Sequence, residues 1–385
     1  MQLRRYVVYL FIIGMGCSLF SFGTCNIRGE VIDYYPDLYE YKAPYASPSE
    51  EVYLKVNVTL EDEDEQTIVQ WDITKALRDM LLFQKIQIVK EQSTSDRSLV
   101  VSYSPKMVEE EEQIELTYQI DDGEVQSILC PDLKSQIEAL EQMVETFTHQ
   151  PITYHHEWKA LPGTKLEIMT TEVLAVDFLK AKEQIIEIIT NMYEAGEIDK
   201  QTIGSSIKTN RYESEDQYCT LESIRYMMHP MNCVSKLAAE HYCTLISSDH
   251  EGNGRLPTKE EWITAYRANT NTLYWWGDTF DGNRAVSDVP GDGKWKRWFT
   301  DQEILERGTA AAKNFGPRCN PWGICDMAGN VWEWTQTDRY DEMFVLKGGA
   351  WYYYYPEWYS YEHESAGHPH HPYVNVGFRC IRTAE

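Results

Sequence analysis

The sequence predicts an α+β protein in two parts, a small acidic α+β domain over residues 51–150 and a larger loop-rich domain over residues 151–385. Three observations carry this. The 385 residues exceed one ordinary domain and fit two, each large enough to bury its own core. Along the first part, apolar residues either alternate or recur at helical spacing. From Pro151 the texture changes to short apolar stretches broken by Gly, Pro, Asn and Trp.

In chain order, Arg4-Arg5 precedes an apolar run, Tyr6 to Gly16, that is too short to span a bilayer, so residues 1–25 read as a secretory signal. Cys17 follows Gly14-Met15-Gly16, which resembles a bacterial lipoprotein cleavage site and makes Cys17 the candidate for lipidation. Simple secretion and an uncleaved anchor are the alternatives, with Cys25 a second lipidation candidate. Residues 26–50, punctuated by Pro and Tyr, read as an extended tether. Val52 to Val58 alternates like a half-buried strand, and Ile68 to Leu82 has helical spacing. Further strands are expected at Ile86–Val89, Leu99–Tyr103 and Ile114–Ile120. A helix is expected from Pro131 to Phe147, with Pro131 in its first turn. In the second part Val173 to Tyr193 reads as one helix or two, and Ser235 to Ile246 as another. Thr258 opens a third helix with a capping box ending at Glu261.

A formal net charge of −26 argues against nucleic acid or an anionic lipid surface as partner, since both select for excess Lys and Arg. The excess is concentrated: residues 51–150 hold 22 acidic against 8 basic side chains. Its runs, Glu61 to Glu65 and Glu109 to Glu112, read as solvated loops or strand ends. No Gly-rich phosphate loop and no metal-ligand spacing interrupts this part. Nine cysteines in an exported chain read first as disulfides. Six of them, Cys219, Cys233, Cys243, Cys319, Cys325 and Cys380, lie in the second part, and their spacing leaves the connectivity open.

Eight blocks of the second part, in order, resemble signatures of the formylglycine-generating (sulfatase-modifying factor) family. They begin with Glu172-Val173 and Phe178, then His229 to Val234, and Ala238 through Tyr242-Cys243. Gly254 to Trp262 (GRLPTKEEW) and Tyr274 to Gly277 (YWWG) follow. The longest runs from Asn320 to Trp334 (NPWGICDMAGNVWEW), and Leu346 to Trp351 and Gly377 to Cys380 close the series. The resemblance implies a C-type-lectin-like architecture for this domain. It implies structural Ca²⁺ held by the side chains of Asp326 and Glu333 and the carbonyls of Gly329 and Val331, hard oxygen donors suited to that ion. The alternative is that Glu333 only caps or salt-bridges while Trp332 and Trp334 fill the core. A second calcium site of the family is in doubt, because Ala285-Val286 stands where an asparagine ligand is usual. The family pairing also implies a Cys243–Cys380 disulfide, which leaves Cys319–Cys325 and Cys219–Cys233 as shorter bridges.

The enzymes that this chain resembles oxidise a substrate cysteine with a copper-holding cysteine pair just beyond the glycine pair. Here no cysteine falls between Asp326 and Arg379, and the matching positions are Tyr353 and Trp358. Neither a phenol nor an indole supplies the thiolate that Cu(I) requires, so no catalytic residue and no copper are expected. The interval Trp351 to Tyr373 instead holds seven Tyr, two Trp and four His. Trp351, Tyr352, Tyr354, Trp358, Tyr359 and Tyr361 are thus candidates for a protein- or peptide-binding surface, the alternative being that half of them pack inward. His363, His368, His370 and His371, interleaved with Pro369 and Pro372, read as an exposed polar loop rather than a metal site. The expected function is an exported, non-catalytic binding or scaffold module of the bacterial cell envelope, as in gliding and secretion lipoproteins of similar fold. The runner-up is a formylglycine-type oxidase acting on a protein cysteine.

Overall fold

The computed structural model describes residues 50–385 apart from 61–62, 84–85, 90–96, 109–110, 150–156, 208–218, 221–223, 248–253, 288–307, 313–315, 340–341, 352, 354 and 385. The expected signal, with Cys17, and all of the tether but Glu50 lie outside the described residues.

Five strands form the first sheet: β1 (Glu50–Val58), β2 (Ile86–Val89), β3 (Ser98–Val108), β4 (Glu111–Ile120) and β5 (Gln126–Cys130), in the order β2-β1-β3-β4-β5. β1 runs parallel to β2 and β3, and α1 (Glu63–Phe83) supplies the long crossover that the β1/β2 pairing needs. β3, β4 and β5 are antiparallel neighbours. Leu99 and Val101 of β3 are buried with Ile73, Leu77 and Met80 of α1, and with Leu140, Val144 and Phe147 of α2 (Leu133–Thr148). β5 was not expected; the left-handed Asp121 starts the turn that returns the chain to pair with β4. The start of α2 is also corrected. Asp132 caps it, its Oδ1 accepting from Ser135 N at 2.8 Å, so Pro131 precedes the helix instead of occupying its first turn.

The second part begins and ends in one sheet. β6 (Trp158–Ala160), β7 (Leu166–Met169) and β12 (Ile381–Thr383) lie in the order β12-β7-β6, so the last strand returns to the first hairpin. Helices α3 (Ala175–Glu194), α4 (Lys200–Ile207), α5 (Lys236–Leu245) and α6 (Lys259–Arg267) follow, Thr258 and Glu261 forming the expected capping box. The other sheet orders β8 (Trp332–Asp338), β9 (Phe344–Lys347), β10 (Ser365–Gly367) and β11 (Val376–Gly377) as β10-β9-β8-β11.

One hydrophobic cluster runs through both parts, and a buried polar group crosses between them. Lys75 Nζ of α1 lies 2.8 Å from Asp79 Oδ2 and 2.6 Å from His229 Nε2, and His229 Nδ1 lies 2.9 Å from Thr309 Oγ1. Burial pushes the His229 imidazole down to about 3, helped by the Lys75 charge, so the ring stays neutral and bridges the two parts through hydrogen bonds. Burial alone would raise the Asp79 carboxyl; the Lys75 and Arg78 charges hold it well below its usual range.

Asp177, in the first turn of α3, is buried, and neither carboxyl oxygen has a hydrogen-bond partner among the described residues. Burial pushes its pKa up to about 7, Lys180 opposing. A folded-state value above the unfolded one means a contribution complete below about pH 4 and lost as pH rises to about 7. Three units correspond to about 4 kcal/mol at most. Asp177→Asn is therefore expected to match the parent in urea midpoint at pH 4 and to exceed it progressively up to pH 7. A constant difference across that range would contradict the buried, proton-bearing carboxyl.

Candidate functional site

β8 sends side chains in two directions. Trp332 and Trp334 share one face of the strand, and Glu333 takes the other, as the twofold strand period requires. After β9, the left-handed Gly348 and Gly349 turn the chain (φ 103° and 81°). At Gly349 a Cβ would lie 2.6 Å from the Tyr359 ring, so only glycine admits the close approach of the following loop. That loop carries the two positions matched to the family's cysteine pair.

Tyr353 and Trp358 are brought together, with ring centroids 4.4 Å apart. Trp332 lies 6.0 Å from Tyr353 and 6.5 Å from Trp358, Tyr355 lies 5.3 Å from Trp358, and His363 stacks on Trp358 at 5.2 Å and 12°. The Tyr353 hydroxyl accepts from Asn375 Nδ2 at 3.2 Å. Burial, then the Lys347 charge, pushes the His363 imidazole below its usual range. Lys347 sets this loop from beneath: its Nζ donates to the carbonyls of Tyr361 and His363, and burial lowers its pKa to about 8. The result is an aromatic stack with no thiol in it.

The six candidate binding residues divide. Trp351 and Tyr359 are buried, which corrects their assignment to a ligand surface. Trp351 N donates to Asn330 O, and the Tyr359 hydroxyl sits within hydrogen-bonding reach of the Ala350 and Tyr353 carbonyls, so the Tyr359 ring braces the turn from inside. Trp358 and Tyr361 are half-buried, Arg267 lying 4.7 Å over the Tyr361 ring. Tyr352 and Tyr354 lie outside the described residues.

The block around Asp326, Gly329, Val331 and Glu333 is built on left-handed residues at 326, 329 and 330. A Cβ on Gly329 would come within 2.0 Å of Val286 O, which fixes glycine there. The carboxylates, however, face arginines. Glu333 accepts from Arg379 Nε at 2.7 Å and Nη2 at 2.8 Å, and from Trp262 Nε1 at 2.8 Å. Asp326 Oδ1 lies 3.0 Å from Arg318 Nε, an ion pair without hydrogen-bond geometry. No group of three His, Cys, Asp or Glu side chains among the described residues is arranged to hold a metal ion. As placed, both carboxylates are engaged by arginines, which is the salt-bridging alternative for Glu333. Glu172 adds a third buried carboxyl, accepting from Asn330 Nδ2 at 2.8 Å. Burial, with the nearby Asp326 and Glu333 charges, pushes it well above the usual carboxyl range. Arg318, Arg379 and Glu172 as partners of this block, and Trp332, His363 and Asn375 in the aromatic stack, were not foreseen from the sequence. Arg379 and Glu172 stood inside recognised blocks, which was the available signal.

All six cysteines of the second part are paired, as Cys219–Cys233, Cys243–Cys380 and Cys319–Cys325. Cys130 is a buried free thiol, pushed up to about 11 by burial and then by Asp132, and is correspondingly unreactive.

Residues 164–384, more than half of the chain, match the family model described as sulfatase-modifying factor enzyme 1-like domain. The chain belongs to this family. Among its sulfatase-modifying-factor relatives it is 35% identical over 104 residues to the inactive C-alpha-formylglycine-generating enzyme 2 of Bos taurus, covering 25% of this chain and 32% of that protein. It is 36% identical over 86 residues to the formylglycine-generating enzyme of Mycobacterium tuberculosis, covering 22% and 28%. The chain thus spans less than half the length of these relatives. Among solved structures, Treponema denticola variable protein 1 aligns at a TM-score of 0.36 and 16% identity, over 57% of this chain and 84% of that one.

Proposed function

We propose that this sulfatase-modifying-factor-like chain is an exported, non-catalytic protein whose C-terminal domain binds a protein or peptide, or scaffolds a complex of the cell envelope. One observation carries the reading. Where the family's enzymes place a cysteine pair, this chain places Tyr353 and Trp358 at 4.4 Å, packed into a stack with Trp332 and His363. Neither a sulfur ligand for Cu(I) nor a cysteine thiol to engage a substrate cysteine stands in that stack. A relative of similar sequence described as inactive is consistent with it. Three disulfides suit an oxidising compartment, and no described helix is long and apolar enough to cross a membrane. Anchoring through a lipid on Cys17 belongs to the same proposal.

The test is direct. The full chain, supplied with Cu(I), oxygen and a cysteine-containing sulfatase peptide, is expected to yield no formylglycine by mass spectrometry while an active family enzyme does so in parallel. Any turnover above the copper-only blank would sink the non-catalytic reading in favour of an oxidase acting on a protein cysteine.

A further inference from the structure

The first part of the chain adds no side chain to the aromatic stack, yet a continuous run of hydrogen bonds leads from it to the loop that carries the stack. It starts at Lys75 on α1. An ammonium group has only donors and no acceptor, and Lys75 Nζ lies 2.6 Å from His229 Nε2, so that ring nitrogen is the acceptor. Asp79 Oδ2 lies 3.7 Å from the same nitrogen, beyond hydrogen-bond reach. The single ring proton therefore sits on Nδ1 and is donated to Thr309 Oγ1 at 2.9 Å.

Thr309 opens a short segment, 309–312, that is held from several sides. Ala310 and the buried Asn330 exchange two bonds, Ala310 N donating to Asn330 Oδ1 at 2.9 Å and Asn330 Nδ2 to Ala310 O at 3.2 Å. Ala312 N donates to the carbonyl of Met228, beside His229, at 2.9 Å, and Arg318 Nη2 donates to Ala311 O at 2.7 Å. Asn330 in turn reaches the loop. Gly329 N donates to Gly348 O at 2.8 Å and Trp351 N to Asn330 O at 2.9 Å, so residues 329 and 330 bracket the Gly348-Gly349 turn. Asn330 is itself left-handed (φ 66°), a conformation that persists where the surroundings over-determine it. Tyr353 and Trp358 follow directly on that turn.

We propose that the first part of the chain is a buttress for the aromatic loop, with Lys75 as a positioning residue that acts through His229 and Thr309 on Asn330 and thereby on the Gly348-Gly349 turn. The inference concerns how the loop is held, and it stands whether or not the loop binds a peptide. Coupling of this kind is established by perturbation, not by adjacency.

Hydrogen exchange of the full chain, read at the amides of Ala310 and Trp351, tests this together with nitrogen NMR of histidine-labelled protein. Parent His229 is expected as the Nδ1–H tautomer. K75M is expected to exchange about 10-fold faster at both amides, the effect of losing a charge-assisted hydrogen bond, and to lose the tautomer preference. K75R, which keeps a donor-only cation, should restore both. Val101→Ala weakens the buried core of the first part without touching the crossing, and should leave the two amides near the parent rate. Thr309→Val breaks the next link and should accelerate the same amides; combined with K75M it should add little, as links in series do. Circular dichroism and retention of the three disulfides show that each variant is folded, and T309V carries the comparison should K75M fail this. Unchanged exchange at Ala310 and Trp351 in folded K75M or T309V, acceleration by V101A equal to that by K75M, or a parent His229 protonated on Nε2 overturns the proposal.

Discussion

Replacing Arg379 by methionine is expected to lower unfolding free energy by about 3–5 kcal/mol, the range for breaking one side of a buried ion pair. The guanidinium is fully buried and donates to both Glu333 oxygens, to Met169 O at 3.2 Å and to Cys325 O at 3.0 Å. Its loss strands the Glu333 carboxylate in the interior with only the Trp262 indole N–H remaining from this set. It also leaves two buried carbonyls short of a donor. The double variant R379M/E333L removes the stranded charge, so it is expected to be more stable than R379M, and the cycle of single and double variants should show coupling well above that of distant sites. Urea denaturation of the four proteins measures this. A loss below about 1 kcal/mol in R379M, the level of an exposed pair, would mean that the pair is open to water.

The same pair shows what could and could not be read beforehand. Arg379 and Glu333 sit in two recognised blocks, but 46 residues separate them and no local pattern says that they meet. Short-range physics was legible. Alternation gave the strand at Val52–Val58, apolar spacing gave most of α1 and α3, and Thr258 with Glu261 gave the cap of α6. The missing thiols were equally plain, since a chemical absence needs no fold to be seen. What escaped was set by tertiary packing. Trp351 and Tyr359 face inward through tertiary packing: Tyr359 ends a short helix, Pro356–Tyr359, and its ring lies against Gly349, a contact that no local pattern announces. The polar crossing from Lys75 and Asp79 to His229 joins residues 154 positions apart, so the sequence could not connect the acidic first part to the second. β5 was missed because only Ile128 and Cys130 of its five residues turn inward, and the exposed Leu129 between them hides the alternation in the sequence.

Removing the Cys243–Cys380 bridge by a double alanine substitution is expected to cost about 5 kcal/mol, against about 2 kcal/mol for Cys319–Cys325, by the dependence of unfolded-chain entropy on loop length. The first bridge closes 137 residues and the second only 6. The long bridge fastens α5 to the chain just before β12, the strand that pairs with β7 and joins the two ends of the second part. Around it, Phe178, Tyr242 and Phe378 pack within 5.5 to 6.2 Å of one another, so a freed Cys380 segment would loosen a core contact as well as a crosslink. Urea midpoints under non-reducing conditions compare the two alanine pairs. Equal losses would place the effect of the long bridge in native packing instead of in the unfolded chain. Because Cys380 adjoins Arg379, combining its removal with R379M should cost less than the sum of the two, since whichever change comes first already releases the strand that positions the other.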